Sequence, residues 1–210
     1  MDQASERAQH KLEVEQGYDQ MAWGYLSTKA KDAAQVLSTL IVLTTDLPDG
    51  AKVLDLGCGA GVPSTQFLSR RFDVTGVDVS AHQLELARNY APGATFIKSD
   101  MTALSFPEAT FDLIVAFYSI IHVPREEQPA LVSNIHSWLK PGGRFLATWP
   151  LTEWEGEEKD WQGWGAAMWW SHFGGVDNLN MLREAGFMIE SVEEHVDEED
   201  WLWVVATKEQ

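Results

Sequence analysis

Apolar and polar residues follow one another along this chain in blocks that predict strands and helices in alternation. Short apolar runs bounded by turn residues predict strands at 52–56, 73–78, 94–98, 111–117 and 144–149. Helices are predicted before and between the strands, at 30–47, 62 onward, 80–89 and 125–139, and the polar residues 1–14 predict a frayed or surface helix. A last helix that ends at Gly186 and two further strands, 188–196 and 201–208, complete the pattern. This order predicts an α/β fold with a doubly wound sheet.

Two helix starts can be predicted from capping residues. Ser80 and Gln83 have the spacing of a capping box, which places a helix start just after the second strand. Asp177 or Asn178 has a side chain that caps helices well, which predicts the start of the last helix.

The most informative segment is VLDLGCGAG, residues 53–61, in which an apolar strand runs into glycines and then into a helix. This order is typical of nucleotide or nucleoside sites. A dinucleotide-binding loop would need a third glycine at position 62, where the chain has Val62. Asp55, two residues before Gly57, would repel a pyrophosphate and would suit a cationic amino group. We therefore expect a nucleoside that carries an amine.

Four more segments follow in order: FDVTGVDVS with Asp78, TFIKSDM with Asp100, FDLIVAFYSIIHVP, and LKPGGRFLATWP. With the glycine-rich loop, they resemble class I S-adenosylmethionine-dependent methyltransferases of the small-molecule branch. The resemblance covers residues 50–150 and, more weakly, the C-terminal end. It implies a Rossmann-like, doubly wound sheet of seven strands, parallel except for an antiparallel last strand.

The resemblance also implies S-adenosylmethionine as the cofactor, with a role for each matching residue. Asp55 holds the amino group, Asp78 the ribose diol, and Asp100 with Met101 the adenine edge. The alternatives are that Asp78 caps the next helix and that Asp100 starts a turn. Tyr18 and Tyr25 either shield the sulfonium or pack in the core. The predicted cofactor-binding residues are Tyr18, Tyr25, Asp55, Gly57, Cys58, Gly59, Asp78, Val79, Asp100, Met101, Phe117 and His122.

Histidine and tryptophan are the candidates for chemistry and substrate contact. His122 and His172 are the predicted catalytic residues, because a histidine pKa suits proton removal; the alternative for each is a structural role. Six of the ten tryptophans lie between residues 149 and 170, in a stretch too long for a plain connection. We interpret this stretch as a lid for a flat or apolar substrate, and alternatively as core or dimer packing. The predicted substrate contacts are Tyr18, Trp149, Trp169 and His172.

Composition narrows the function further. The net charge is −17, with 32 acids against 15 bases, which argues against nucleic acid and anionic membranes as partners. The single cysteine, Cys58, cannot form an internal disulfide, and no cluster at ligand spacing predicts a metal site. No apolar run approaches the length that spans a bilayer, and the N-terminus lacks a signal pattern. We expect a cytoplasmic protein.

The sequence thus predicts one methyltransferase domain, 1–210, acting on a small aromatic or apolar metabolite. Its parts are N-terminal cap helices (1–47), a cofactor-binding core (50–150), a tryptophan-rich lid (150–176) and a C-terminal helix and hairpin (177–210). Oxygen is the favoured methyl acceptor and nitrogen the next. The alternative is a protein that uses the cofactor for a cyclisation or rearrangement, or that acts as a binding subunit. A monomer or a homodimer is expected.

Overall fold

The computed structural model describes residues 2–28, 33–196 and 200–210. The α-helices are α1 (Gln3–Thr28), α2 (Ala33–Leu43), α3 (Ser64–Leu68), α4 (Ala81–Tyr90), α5 (Gln128–Trp138) and α6 (Gly175–Glu184). The strands are β1 (Lys52–Leu56), β2 (Asp73–Asp78), β3 (Thr95–Lys98), β4 (Phe111–Ala116), β5 (Leu139–Pro150), β6 (Trp154–Glu158), β7 (Met168–His172), β8 (Phe187–Val196) and β9 (Asp200–Lys208). Short 3-10 turns lie at Met101–Ala103, Ile120–His122 and Trp161–Gly163. In these ranges, no helix is both long enough and apolar enough to cross a membrane.

Seven strands form one sheet in the order β3-β2-β1-β4-β5-β9-β8. The β1, β2, β3, β4 and β5 strands pair in parallel, whereas β9 runs antiparallel to both of its neighbours, β5 and β8. The predicted seven-stranded, doubly wound sheet with an antiparallel last strand is confirmed. Residues 52–56 and 73–78 form strands with the predicted bounds.

Both faces of the sheet are buried, which explains why its central strands are continuous apolar runs. In β4, Ile114 packs into the core under α5 and α6, whereas Leu113 and Val115 pack into the core under α2 and α3. Alternate residues of a strand point to opposite faces, so an unbroken run of Leu, Ile and Val is needed when helices cover both.

The helix α1 is longer than predicted and lies across the carboxyl ends of the parallel strands. The Asp19 carboxylate accepts hydrogen bonds from Ser80 Oγ at 2.6 Å and from the His82 N–H at 3.1 Å, at the start of α4. Glu15 pairs with Lys98 Nζ at 2.6 Å, at the end of β3. These contacts fasten α1 over the sheet edge at which ligands of open α/β sheets bind.

The tryptophan-rich stretch contains a β-hairpin. The strands β6 and β7 pair antiparallel to each other as a separate two-stranded sheet. Met168 of β7, together with Ala166 just before it, packs against Val14 and Met21 of α1. The hairpin and α1 therefore support one another above the sheet.

One of the two helix-cap predictions holds. The Ser80 hydroxyl caps α4 by accepting the Gln83 backbone N–H at 3.0 Å. The helix α6 begins earlier than predicted, at Gly175, so a cap at Asp177 or Asn178 is wrong. The Asn178 side chain instead lies inside the helix and donates to the Phe173 carbonyl at 3.0 Å.

Candidate functional site

A cleft of about 1110 Å³, counted out to its open mouth, lies between α1 and the carboxyl ends of β1, β2 and β4. The residues predicted to contact the cofactor all line it: Tyr18, Tyr25, Asp55, Gly57, Cys58, Gly59, Asp78, Val79, Asp100, Met101, Phe117 and His122. Five different loops and helices supply them, because parallel strands end at the same edge of the sheet.

The glycine turn after β1 is shaped by a close approach from the turn after β4. Gly57 has a φ of 74°, and a Cβ on it would lie 2.2 Å from the Ser119 Cβ. Ser119 is held there because its Oγ donates to the Leu56 carbonyl at 2.7 Å. Gly57 is thus required by packing inside the protein as well as by its backbone conformation. At Gly59, with a φ of 53°, a Cβ would meet only Gln83 Oε1, at 3.8 Å, so this side of the turn faces the cleft.

Asp78, at the end of β2, ties the glycine turn to α4. Its Oδ2 accepts the Gly59 N–H at 2.8 Å and its Oδ1 accepts the Ser80 N–H at 2.9 Å. Burial raises the pKa of Asp78 from 3.8 to about 6, although these two backbone hydrogen bonds act in the opposite direction. Each oxygen keeps a further lone pair for a ligand donor.

Asp55 is nearly fully buried at the end of β1. Its Oδ2 accepts hydrogen bonds from Ser64 Oγ at 2.7 Å and Thr65 Oγ1 at 2.6 Å, at the start of α3. The hydroxyls hold the carboxylate in place, as a buried charge requires. It therefore presents carboxyl oxygens in a fixed position at the floor of the cleft.

Asp100 begins the turn after β3, and its carboxylate is engaged by residues of the protein. The Thr102 N–H donates to Oδ1 at 2.8 Å, and Lys11 Nζ of α1 lies 2.7 Å from Oδ2. Burial alone would raise the pKa of Asp100, but the hydrogen bonds from Lys11 and Thr102 lower it below its usual value. Lys11 also contacts Glu127, at the start of α5. The lysine thus joins α1 to the rim of the cleft.

Tyr18 and His122 form a hydrogen-bonded pair inside the cleft. His122 Nδ1 lies 2.8 Å from the Trp169 carbonyl, which can only accept, so Nδ1 carries a proton. In the neutral ring Nε2 then has a lone pair, and Tyr18 donates its hydroxyl to it at 2.9 Å. Burial, together with neighbouring Tyr25 and Asp78, raises the pKa of Tyr18 well above 10, so the phenol stays protonated. The hairpin carbonyl of Trp169 therefore fixes the tautomer at this site.

Comparison with known proteins gives two kinds of match. Residues 53–143 match the family described as a methyltransferase domain. The curated relatives include phosphoethanolamine N-methyltransferase 3 of Arabidopsis thaliana, 34% identical over 60% of this chain and 25% of that protein. A sterol 24-C-methyltransferase of Gibberella zeae is 35% identical over 51% of this chain and 30% of its own. This chain thus spans less than a third of the length of those relatives.

A solved structure matches over nearly its whole length. The S-adenosylmethionine-dependent methyltransferase of Mesorhizobium loti has a TM-score of 0.67 and 25% identity, over 82% of this chain and 98% of that one. This chain therefore contains a methyltransferase domain and resembles the class I S-adenosylmethionine-dependent methyltransferases in sequence and fold. The match confirms the predicted family and fold, and with them S-adenosylmethionine as the predicted cofactor.

The residues of the cleft fit that cofactor by their own chemistry. Asp55 offers a buried carboxylate for a cationic amino group, and Asp78 offers free lone pairs to a ribose diol. The open side of Gly59 lets a ligand approach the backbone. Cys58, in the same turn, is a packing residue here, because burial raises the pKa of its thiol well above 9.0 and keeps it protonated.

The structure does not bring three of the predicted substrate and catalytic residues to the cleft. Trp149 is fully buried in the core, where its ring lies 6.3 Å from that of Phe145. The ring of Trp169 stacks on His10 at 3.6 Å, and only its carbonyl reaches the site. His172 is buried at the far end of β7 and outside the cleft; burial lowers its pKa. The position of a residue along a strand does not show whether its side chain enters the cleft, because neighbouring side chains point to opposite faces of the strand.

Sequence reasoning also missed residues that the structure brings to the cleft. Lys11 lies in a segment whose polar composition predicted only a surface helix, and its partners are 89 and 116 residues away. Gln83 was assigned to helix capping, yet its side chain lines the cleft. A signal for Gln83 existed, because it lies one helical turn after Ser80 on the side of α4 that faces the glycines. No signal in the sequence pointed to Lys11.

Proposed function

We propose that this methyltransferase acts on a small aromatic or apolar molecule and methylates an oxygen, with nitrogen as the next candidate acceptor. The observation that carries the proposal is the Tyr18–His122 pair inside the cleft. When bound, S-adenosylmethionine supplies a methyl group on a sulfonium that an attacking nucleophile can displace. A hydroxyl or an ammonium acceptor also has a proton to lose, so it needs a base within hydrogen-bond reach.

The pair is arranged to take that proton as a relay. Tyr18 donates its own hydroxyl hydrogen to His122 Nε2, and its oxygen, which also contacts the Tyr25 hydroxyl, can accept a proton from the acceptor. The proton of the acceptor passes to the Tyr18 oxygen as the Tyr18 proton passes to Nε2. The imidazolium that results keeps its hydrogen bond to the Trp169 carbonyl. Because burial keeps Tyr18 a neutral phenol, the pair works by transfer along this path, not from a standing phenolate.

An apolar acceptor is supported by the walls of the cleft. Tyr18 and Tyr25 meet edge to face at 5.3 Å, and the Trp161 ring lies behind Tyr25 at 5.7 Å. Aromatic faces of this kind suit a flat or apolar molecule. Among the described lining residues, Lys11 is the one lysine or arginine, and it is already bonded to Asp100, Thr102 and Glu127. A phosphate would have to displace one of these oxygens.

The test measures S-adenosylhomocysteine formation by the purified chain with phenols, alcohols, amines and phosphoethanolamine as acceptors. We expect turnover with an apolar phenol, alcohol or amine, and a loss of about 10²–10⁴ in kcat in Tyr18→Phe with little change in cofactor affinity. Tyr90→Phe, an exposed tyrosine outside the cleft, is the matched control and keeps full activity.

Three outcomes would contradict the proposal in different ways. Equal kcat values for Tyr18→Phe and Tyr90→Phe would show that the Tyr18–His122 pair does not take the proton of the acceptor. Turnover of phosphoethanolamine alone would contradict the proposal that the acceptor is apolar. Lys29 and Lys31 lie outside the described residues, and a double alanine variant at these positions would then show whether they bind the phosphate. Cofactor binding without demethylated product from any acceptor would favour the non-methylating alternative.

A further inference from the structure

The side chain of Gln83 is a buried polar group with no hydrogen-bond partner among the described residues. The residue is 1% exposed, and both its Nε2 and its Oε1 lack a partner. Its backbone N–H is bonded to Ser80 Oγ, but the carboxamide does not complete the capping box by bonding back. An unsatisfied buried amide costs the folded protein stability, so its presence calls for an explanation.

The position of this amide points to a ligand. Gln83 lines the same cleft as Asp78, and the side chains of both lie near Gly59. Asp78 Oδ2 accepts the Gly59 N–H at 2.8 Å, and Gln83 Oε1 is 3.8 Å from where a Cβ on Gly59 would stand. A carboxamide offers both a donor and an acceptor, which matches a hydroxyl that can donate and accept at once.

We propose that Gln83 is a cofactor-binding residue whose carboxamide hydrogen-bonds the nucleoside half of S-adenosylmethionine, at the ribose hydroxyls beside Asp78. The free protein then keeps two polar atoms unsatisfied, and binding satisfies them. The proposal rests on cofactor binding in this cleft and not on the identity of the methyl acceptor. It makes opposite predictions for the stability of the free protein and for the affinity of the cofactor.

The variant Gln83→Met keeps the length of the side chain and removes both polar atoms. Its free form should melt about 2–4 °C higher, because no unsatisfied amide is left in the interior. Its Kd for S-adenosylhomocysteine should rise about tenfold, and its Kd for adenosine by a similar factor, because both ligands carry the ribose. Gln66→Met, on α3 and outside the cleft, is the matched control, since the Gln66 Nε2 donates to the Tyr90 carbonyl at 3.0 Å. It should leave both Kd values unchanged.

Calorimetry with the two ligands and thermal melting of the free protein decide the matter, without any acceptor and so independently of methyl transfer. A raised Tm together with both weakened affinities supports the proposal. Unchanged affinities would mean that Gln83 is satisfied by water or serves packing alone. Weakened binding of S-adenosylhomocysteine with unchanged binding of adenosine would place the contact on the amino-acid half. Either result overturns the assignment.

Discussion

Replacing Asp78 by asparagine tests the reasoning about the cleft most directly. Asparagine keeps the size of the side chain but loses the charge and one of the two acceptor oxygens. In the protein, the oxygens of Asp78 accept the N–H groups of Ser80 and Gly59 at 2.9 and 2.8 Å. One of these bonds is therefore lost in the variant.

The substitution has two opposing effects on the free energy of unfolding, and the structure gives the magnitude of each. Burial raises the pKa of Asp78 from 3.8 to about 6, and at 1.36 kcal/mol for each pKa unit, holding the charge at neutral pH costs about 3 kcal/mol. The lost backbone hydrogen bond costs the variant about 1–3 kcal/mol. We expect the free energies of unfolding of the two proteins to differ by less than about 2 kcal/mol at pH 7.5.

The pH dependence separates the two effects. Because folding raises this pKa, Asp78 contributes stability that is fully present below pH 3.8 and is lost as the pH rises through about 6. The wild type should therefore gain about 2 kcal/mol relative to Asp78→Asn as the pH falls from 7.5 to 4.5. The other carboxylates titrate in both proteins, so the difference between them isolates Asp78.

Cofactor affinity should follow the ionised form of Asp78, because a carboxylate accepts the ribose hydroxyls better than the acid does. From pH 7.5 to pH 5 the wild type should lose about tenfold in affinity for S-adenosylhomocysteine, whereas Asp78→Asn should be weaker throughout and nearly independent of pH. Calorimetry and urea unfolding at three pH values measure both quantities, with the exposed Asp73→Asn as control. Tight binding by Asp78→Asn with the pH slope of the wild type would refute the ribose role.

Two further variants test the packing around the cleft. Gly57→Ala should lower the free energy of unfolding by about 3 kcal/mol or more, since its Cβ would lie 2.2 Å from that of Ser119. Gly50→Ala has a similar positive φ and no atom within 4 Å, so it should cost only about 1 kcal/mol; equal losses would argue against the contact. Lys11→Met should speed release of S-adenosylhomocysteine and chymotryptic cleavage of α1, because this lysine joins α1 to the cleft rim. Lys140→Met breaks an ion pair with Asp112 that does not involve α1, and it should do neither. Equal rates in the two variants would mean that Lys11 does not hold α1 against the cleft rim.

The sequence by itself determined the fold and the nucleoside end of the cleft. The runs of 52–56 and 73–78 fixed two strands because both faces of a central strand must be apolar. Asp55, Gly57 and Asp78 could be assigned to the cleft because they lie at strand ends or in the turn between a strand and a helix. Such features depend on local chain geometry, which neighbouring residues specify.

Only the tertiary structure decided the other end of the cleft. The contact of Lys11 with Asp100 and that of Tyr18 with His122 join residues about 90 to 100 positions apart. Their geometry depends on how α1 and the hairpin dock on the sheet. Packing against α5 and α6 places Trp149 in the core, and the docking of the hairpin leaves His172 outside the cleft. Tertiary packing thus decides which face of a strand meets the site. The sequence can identify such side chains as candidates, but it does not show which of them reach the cleft.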